Sequence, residues 1–83
     1  MDKILVEIYV PVLSAAWDMF IPQELQMFEL LEMIKKAVED LSGGKFIADG
    51  NTAICHREDG TILNINMSVC ELGIHNGSKL MLI

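Results

Sequence analysis

Two cysteine–histidine pairs are the residues here whose types could do chemistry. Cys55 is followed directly by His56, and Cys70 is separated from His75 by four residues. A thiolate and an imidazole make a nucleophile and its base only where a third group orients the base and donors face the developing oxyanion in a cleft. The same four residues are the soft-ligand candidates for zinc, which needs about four ligands converging at about 2.0–2.3 Å. No Cys-x2-Cys or His-x3-His spacing accompanies them. Cys55 and His56 are neighbours on a strand-like segment, so they project to opposite faces. Structural thiols and surface histidines are therefore expected, with no catalytic residue, metal ligand or cofactor assigned. Gly43-Gly44-Lys45 has the look of a phosphate loop, but the longer glycine-rich loop and the Ser or Thr after the lysine are absent. It also follows a helix-like segment, whose C-terminal carbonyls repel phosphate. The two glycines are expected to stop that helix.

With chemistry set aside, binding remains. Acidic residues outnumber basic ones by 12 to 6, for a net charge of −6. That balance disfavours nucleic acid and anionic membrane, whose phosphates need a basic face. A basic or neutral protein partner suits it better. No apolar stretch approaches the length of a membrane span. Met1-Asp2-Lys3 runs into a strand-like segment containing Glu7, so no secretory signal is expected. Two cysteines do not make a disulfide framework, which fits reduced thiols in the cytoplasm. The 83 residues are expected to form one domain, 1–83.

The elements follow from periodicity. Ile4, Val6, Ile8 and Val10 alternate with Lys3, Leu5, Glu7 and Tyr9, the period of a strand with one buried face. Pro11 ends regular pairing, Val12 to Ala15 make a turn, and Trp17, Met19 and Ile21 alternate with Asp18 and Phe20 in a second strand. From Met27 the period changes. Met27, Leu30, Leu31, Ile34, Val38 and Leu41 share one helical face, with Met33 at its border and charged residues largely opposite. Glu32 and Lys36 have the favourable i,i+4 order. No Ser, Thr, Asp or Asn stands at an N-cap, so the helix start falls between Pro22 and Met27. Thr52 to His56 reads as a strand, Glu58-Asp59-Gly60 as a tight turn, Thr61 to Leu63 as a short strand, Met67 to Leu72 as one helical turn, and Lys79 to Ile83 as the last strand. One helix cannot cover both faces of a sheet. The expected class is α+β, with the helix across one face and the first and last strands parallel in the centre. Ile4, Val6, Ile8, Trp17, Met19, Ile21, Met27, Leu30, Ile34, Val69, Leu72, Ile74, Leu80 and Leu82 are the expected core.

These residues resemble the ubiquitin-like β-grasp family over nearly the whole chain. Met27, Leu30 and Ile34 reproduce its buried helical triad. Val69 to Ile83 carries a Leu-Gly-Ile, an Asn-Gly turn and an alternating final strand. Within that superfamily, the size and the Gly-Ile-x-Asn-Gly of residues 73–77 look most like the small bacterial YukD group associated with type VII (WXG-type) secretion. The resemblance implies a mixed four- to five-stranded β-grasp sheet with one helix. It also implies a non-catalytic, cytoplasmic protein-interaction module, accessory to a type VII secretion system. A general ubiquitin-like adaptor or structural subunit of another assembly is the alternative. A conjugated modifier needs a Gly-Gly tail after the last strand, and none follows Ile83 in this sequence, so conjugation is not expected.

The sheet face opposite the helix must meet solvent or another protein. Alternation assigns Leu5, Tyr9, Phe20, Met81 and Ile83 to that face. Ile83 matches, by resemblance, a position in the apolar recognition patch of ubiquitin. Five such groups would reach a few hundred Å², the size that marks an interaction site. Met81 adds an adaptable thioether. The expected occupant is a protein partner or a second copy in a homodimer.

Overall fold

A computed structural model describes residues 3–83. Met1 and Asp2, read above with the N-terminal segment, lie outside the described residues. The chain runs β1 (Lys3–Val10), a 3-10 turn (Pro11–Leu13), β2 (Ala15–Pro22), α1 (Met27–Leu41), β3 (Ile54–His56) and β4 (Lys79–Leu82). The sheet order is β2-β1-β4-β3. β1 pairs antiparallel with β2 and parallel with β4, and β3 pairs antiparallel with β4. The α+β arrangement and the central parallel pair are as expected.

Pro11 opens the 3-10 turn, where its missing N–H costs nothing. Ser14 takes a left-handed conformation at φ 50° and returns the chain at Ala15, opposite Val10. The hairpin turn is thus one residue tighter than the sequence reading, and Ala15 belongs to β2.

α1 begins at Met27 without a short polar cap. The Glu29 carboxylate accepts the Gln26 N–H at 3.3 Å. The next two N–H groups, of Met27 and Phe28, donate to the carbonyls of Met67 and Ile65 at 2.9 and 3.1 Å. A distant segment therefore satisfies the helix's orphan donors. At the other end Gly43 and Gly44 lie at φ 65° and 83°, and the Gly44 N–H reaches the Glu39 carbonyl at 3.0 Å. Two details differ from expectation. Glu32 pairs with Lys35, three residues on, at 3.0 Å, and not with Lys36. The segment Thr61–Leu63 forms only an isolated bridge, Cys55 to Ile62, so the sheet has four strands.

The core lies between α1 and the sheet. Ile8, Ile21, Leu30, Ile34, Val38, Val69, Leu80 and Leu82 are fully enclosed. Trp17, Met19 and Leu72, expected inside, are half-buried and pack against the core's margin. For Trp17 and Met19 the reason is position. β2 is an edge strand, and side chains there are covered by the helix from one side only. Val10, Val38, Phe46, Ile54 and Leu63 complete the core and were not among the expected set. Phe46 comes from an irregular loop and Leu63 from the bridge segment, where no period marks the buried side.

Candidate protein-binding face

The Gly73–Gly77 segment fixes the sheet from one end. Gly73 and Gly77 sit at φ 74° and 93°, conformations that glycine reaches without steric penalty. Between them Ile74 is buried. The Asn76 side-chain oxygen accepts the Leu5 N–H at 2.8 Å, and the Gly77 N–H donates to the Leu5 carbonyl at 2.7 Å. The Glu7 N–H then meets the Ser78 carbonyl at 3.0 Å, and parallel pairing of β1 with β4 starts. The motif that carried the resemblance is thus the clamp that sets the β1–β4 register.

That register places the residues of the open face. Phe20 and Leu5 are partners across β2 and β1, and Tyr9 and Met81 across β1 and β4. Cys55 of β3 follows in the same row, opposite Met81. Ile83 exchanges two backbone hydrogen bonds with Ala53, at 2.8 and 2.9 Å, just beyond Met81. Phe20 is 67% exposed and Ile83 50%, whereas Leu5, Tyr9 and Met81 are half-buried. All five expected residues lie away from the helix, but they form two groups. Leu5 and Tyr9 are four residues apart, about 13 Å along a strand. Between them runs a charged row in which Glu7 is in register with Asp18 on one side and Lys79 on the other.

Arg57 closes that row, and nothing in the sequence pattern marked it. Its N–H bonds the Lys79 carbonyl at 3.2 Å, which holds it beside β4. Its guanidinium pairs with Glu7 and lies over the Tyr9 ring, 4.4 Å from the centroid. A cation at that distance is attracted to the ring face, by about 0.5–1 kcal/mol at an exposed site. Arg57 therefore bridges the charged row and the Tyr9–Met81 group. An aromatic two residues from Glu7 on one strand, with an arginine in the turn after β3, is a signal visible only once the register is known.

The thiols and histidines do not converge. Cys55 is fully buried beside Met81, its thiol 3.6 Å from the Met81 carbonyl, whereas Cys70 is exposed. Burial raises the Cys55 pKa, and the negative charge of Asp59 adds to the rise. That is the opposite of what a nucleophile requires. Among the described residues, no three His, Cys, Asp or Glu side chains form a metal-holding group. A shallow depression of about 340 Å³ at the start of β4 is lined by His56, Glu58, His75, Ser78 and Lys79, with Gly73 and Gly77. The Ser78 hydroxyl oxygen there accepts the His75 backbone N–H at 2.9 Å. The His75 ring places Nδ1 3.0 Å from the Asn76 carbonyl, so that nitrogen carries the proton. These bonds hold a turn. Among the described residues, no helix is long and apolar enough to cross a membrane.

The whole chain superposes on solved ubiquitin-like domains. It matches the ubiquitin-like domain of the Mycobacterium tuberculosis type VII secretion system protein ECCD1 with a TM-score of 0.78 and 21% identity, covering 100% of this chain and 99% of that one. The fold is a ubiquitin-like β-grasp. The UBL domain of Plasmodium falciparum Dsk2 aligns with a TM-score of 0.75 and 18% identity, over 98% of this chain and 96% of that one. A chain of the MycP5-free ESX-5 inner membrane complex aligns with a TM-score of 0.72 and 17% identity, over 100% of this chain and 21% of that larger chain. No protein-family signature matches the sequence. No curated protein matches it either.

Proposed function

We propose that this chain is a non-catalytic ubiquitin-like interaction module, a cytoplasmic accessory component of a bacterial type VII secretion system. We further propose that it binds through the open face of its sheet. The observation that carries the reading is the composition of that face. Leu5, Tyr9, Phe20, Met81 and Ile83 lie opposite the helix, two of them at least half exposed, around a row of charges. Apolar groups on both sides of a charged row offer a partner both contact area and a charge pattern to match. The likeness to secretion-system domains supports the choice of system. The Dsk2 likeness keeps the general adaptor as the competing reading, because the same fold occurs in a protein not described as a secretion component.

The test is affinity capture from the cell that makes the protein, with the captured chains identified by mass spectrometry. The proposal predicts a type VII secretion component, retained in proportion to the bait. Reproducible capture of an assembly unconnected with secretion would replace the secretion role with that of a general adaptor.

A further inference from the structure

Asn76 is followed by glycine, whereas Asn51, Asn64 and Asn66, the other asparagines of the chain, precede Thr52, Ile65 and Met67. The difference is chemical. A backbone nitrogen can attack the side-chain amide carbon of the asparagine before it, and a side chain on the attacking residue obstructs the approach. Gly77 has none. In that reaction the Gly77 nitrogen bonds to Asn76 Cγ and loses its proton, the side-chain amide leaves as ammonia, and a cyclic imide remains. Water then opens the imide. Opening at Cγ leaves aspartate. Opening at the main-chain carbonyl leaves isoaspartate, with the backbone rerouted through Cβ and Cγ. Water is consumed and ammonia released, with no oxidant or reductant. Asn76 and Gly77 are both exposed, so water reaches them.

The fold holds the two reacting groups away from each other. Asn76 Oδ1 accepts the Leu5 N–H at 2.8 Å, and the Gly77 N–H donates to the Leu5 carbonyl at 2.7 Å. Both groups are committed to β1, and the nitrogen cannot turn onto Cγ while these bonds last. Their place in the sheet is also where they are most easily lost. The register partners of β1 and β4 run from Glu7 and Lys79 to Tyr9 and Met81, so the Leu5 bonds lie past the end of the ladder. Local opening costs least at such an end, where backbone hydrogen bonds are exposed.

We propose that Asn76–Gly77 is a self-modification site guarded by the β1–β4 clamp: it converts to isoaspartate only while the clamp is open, and the product keeps the clamp from re-forming. The turn explains the second half. His75 to Ser78 is closed by the Ser78 N–H on the His75 carbonyl at 2.9 Å, with Gly77 at φ 93° in the third position. Isoaspartate lengthens the main chain between His75 and Gly77 by one carbon and replaces a neutral amide with a carboxylate. The enlarged turn no longer sets the Gly77 N–H and an acceptor oxygen opposite Leu5 together. Ordinary aspartate keeps both the turn length and an oxygen for the Leu5 N–H. Each opening that ends in isoaspartate is thus recorded in the chain. The inference rests on the clamp alone, so it stands whichever partner the open face takes.

The whole chain is incubated at mildly alkaline pH, folded in buffer and unfolded in guanidinium chloride. Peptide mapping follows each asparagine, with fragmentation that separates aspartate from isoaspartate. The expected result is conversion of Asn76 ahead of Asn51, Asn64 and Asn66 in the unfolded chain, and at least about tenfold slower conversion of Asn76 in the folded one. Ion exchange isolates converted chains by their added negative charge. Asp49–Gly50 and Asp59–Gly60 form the same imide but release water and leave the charge unchanged. The isoaspartyl protein should melt below wild type or fail to refold, whereas Asn76→Asp should melt within a few degrees of it. Equal rates for Asn76 in the two conditions, no preference for Asn76 in the unfolded chain, or an isoaspartyl form that melts as wild type does would each overturn the proposal.

Discussion

Cys55 and Cys70 have opposite environments, and this separates them chemically. Cys55 is enclosed in the sheet with its pKa raised, whereas Cys70 is exposed on the turn after Val69. Alkylation of native protein at mildly alkaline pH should label Cys70 quickly and Cys55 only after denaturation. Equal labelling rates would show that the β3–β4 row is open. The sign of the linked pH effect is fixed. A thiol whose folded pKa is raised keeps its proton longer in the native state, so stability falls as pH rises above the unfolded value. Glu71 gives the converse. The Ser68 N–H donates to its carboxylate at 2.9 Å, while the Glu71 N–H donates to the Ser68 hydroxyl oxygen at 3.0 Å. The Ser68 backbone N–H, and after it the Ser68 hydroxyl, hold the Glu71 carboxyl below its ordinary pKa. Its contribution is present above the unfolded carboxylate pKa and is lost as pH falls through the folded value. Glu71→Gln should therefore lower the denaturation midpoint at neutral pH and match wild type in acid, in urea titrations at the two pH values. A midpoint deficit unchanged in acid would contradict the assignment. Ser68-x-x-Glu71 has the capping-box spacing and lies inside the segment Met67 to Leu72 that the sequence marks as one helical turn.

At the scale of elements, β1, β2, α1 and β4 were legible because each buries one side along a regular period. β1 shows the two-residue period and α1 the helical one, with Met27, Leu30, Ile34 and Val38 all buried. The start of α1 was not legible, because its first donors are satisfied by Ile65 and Met67, almost forty residues further on. The one local mark is Gln26-x-x-Glu29, whose Glu29 carboxylate accepts the Gln26 N–H, and the distant backbone partners leave no trace in the nearby sequence. Thr61–Leu63 failed as a strand for a related reason. Its few bonds, from Leu63 to Ile54 and from His56 to Thr61, flank a turn and extend no further. The helix–sheet contact itself is testable at Ile34, which is fully buried mid-helix. Ile34→Asp would place an unpaired carboxylate in the core. It should cost several kcal/mol, comparable with the stability of a small domain. Cooperative melting within a few degrees of wild type would contradict the packing of α1 on the sheet.

For the whole molecule, the topology gives the sheet two unlike faces. The helix closes one side of the sheet, and the order β2-β1-β4-β3 lays the other side open with its apolar groups in register. Alternation alone placed Leu5, Tyr9, Phe20, Met81 and Ile83 away from the helix. It could not show that Glu7, Asp18 and Lys79 divide them, nor that Arg57 covers Tyr9, because both depend on cross-strand register. The open face as binding surface is the central claim, and one comparison tests it most directly. Wild type and Tyr9→Ser/Met81→Ser, both verified as folded by circular dichroism and thermal melting, are used as baits in parallel captures from native cells and sedimented alone. Tyr9 and Met81 are half-buried on the sheet surface, outside the core between helix and sheet, so the fold should persist. The account predicts that the double variant loses the specific partner, or the self-association, by tenfold or more, from roughly 1.5–3 kcal/mol for each apolar side chain removed from a buried contact. Unchanged capture together with an unchanged sedimentation profile would contradict it.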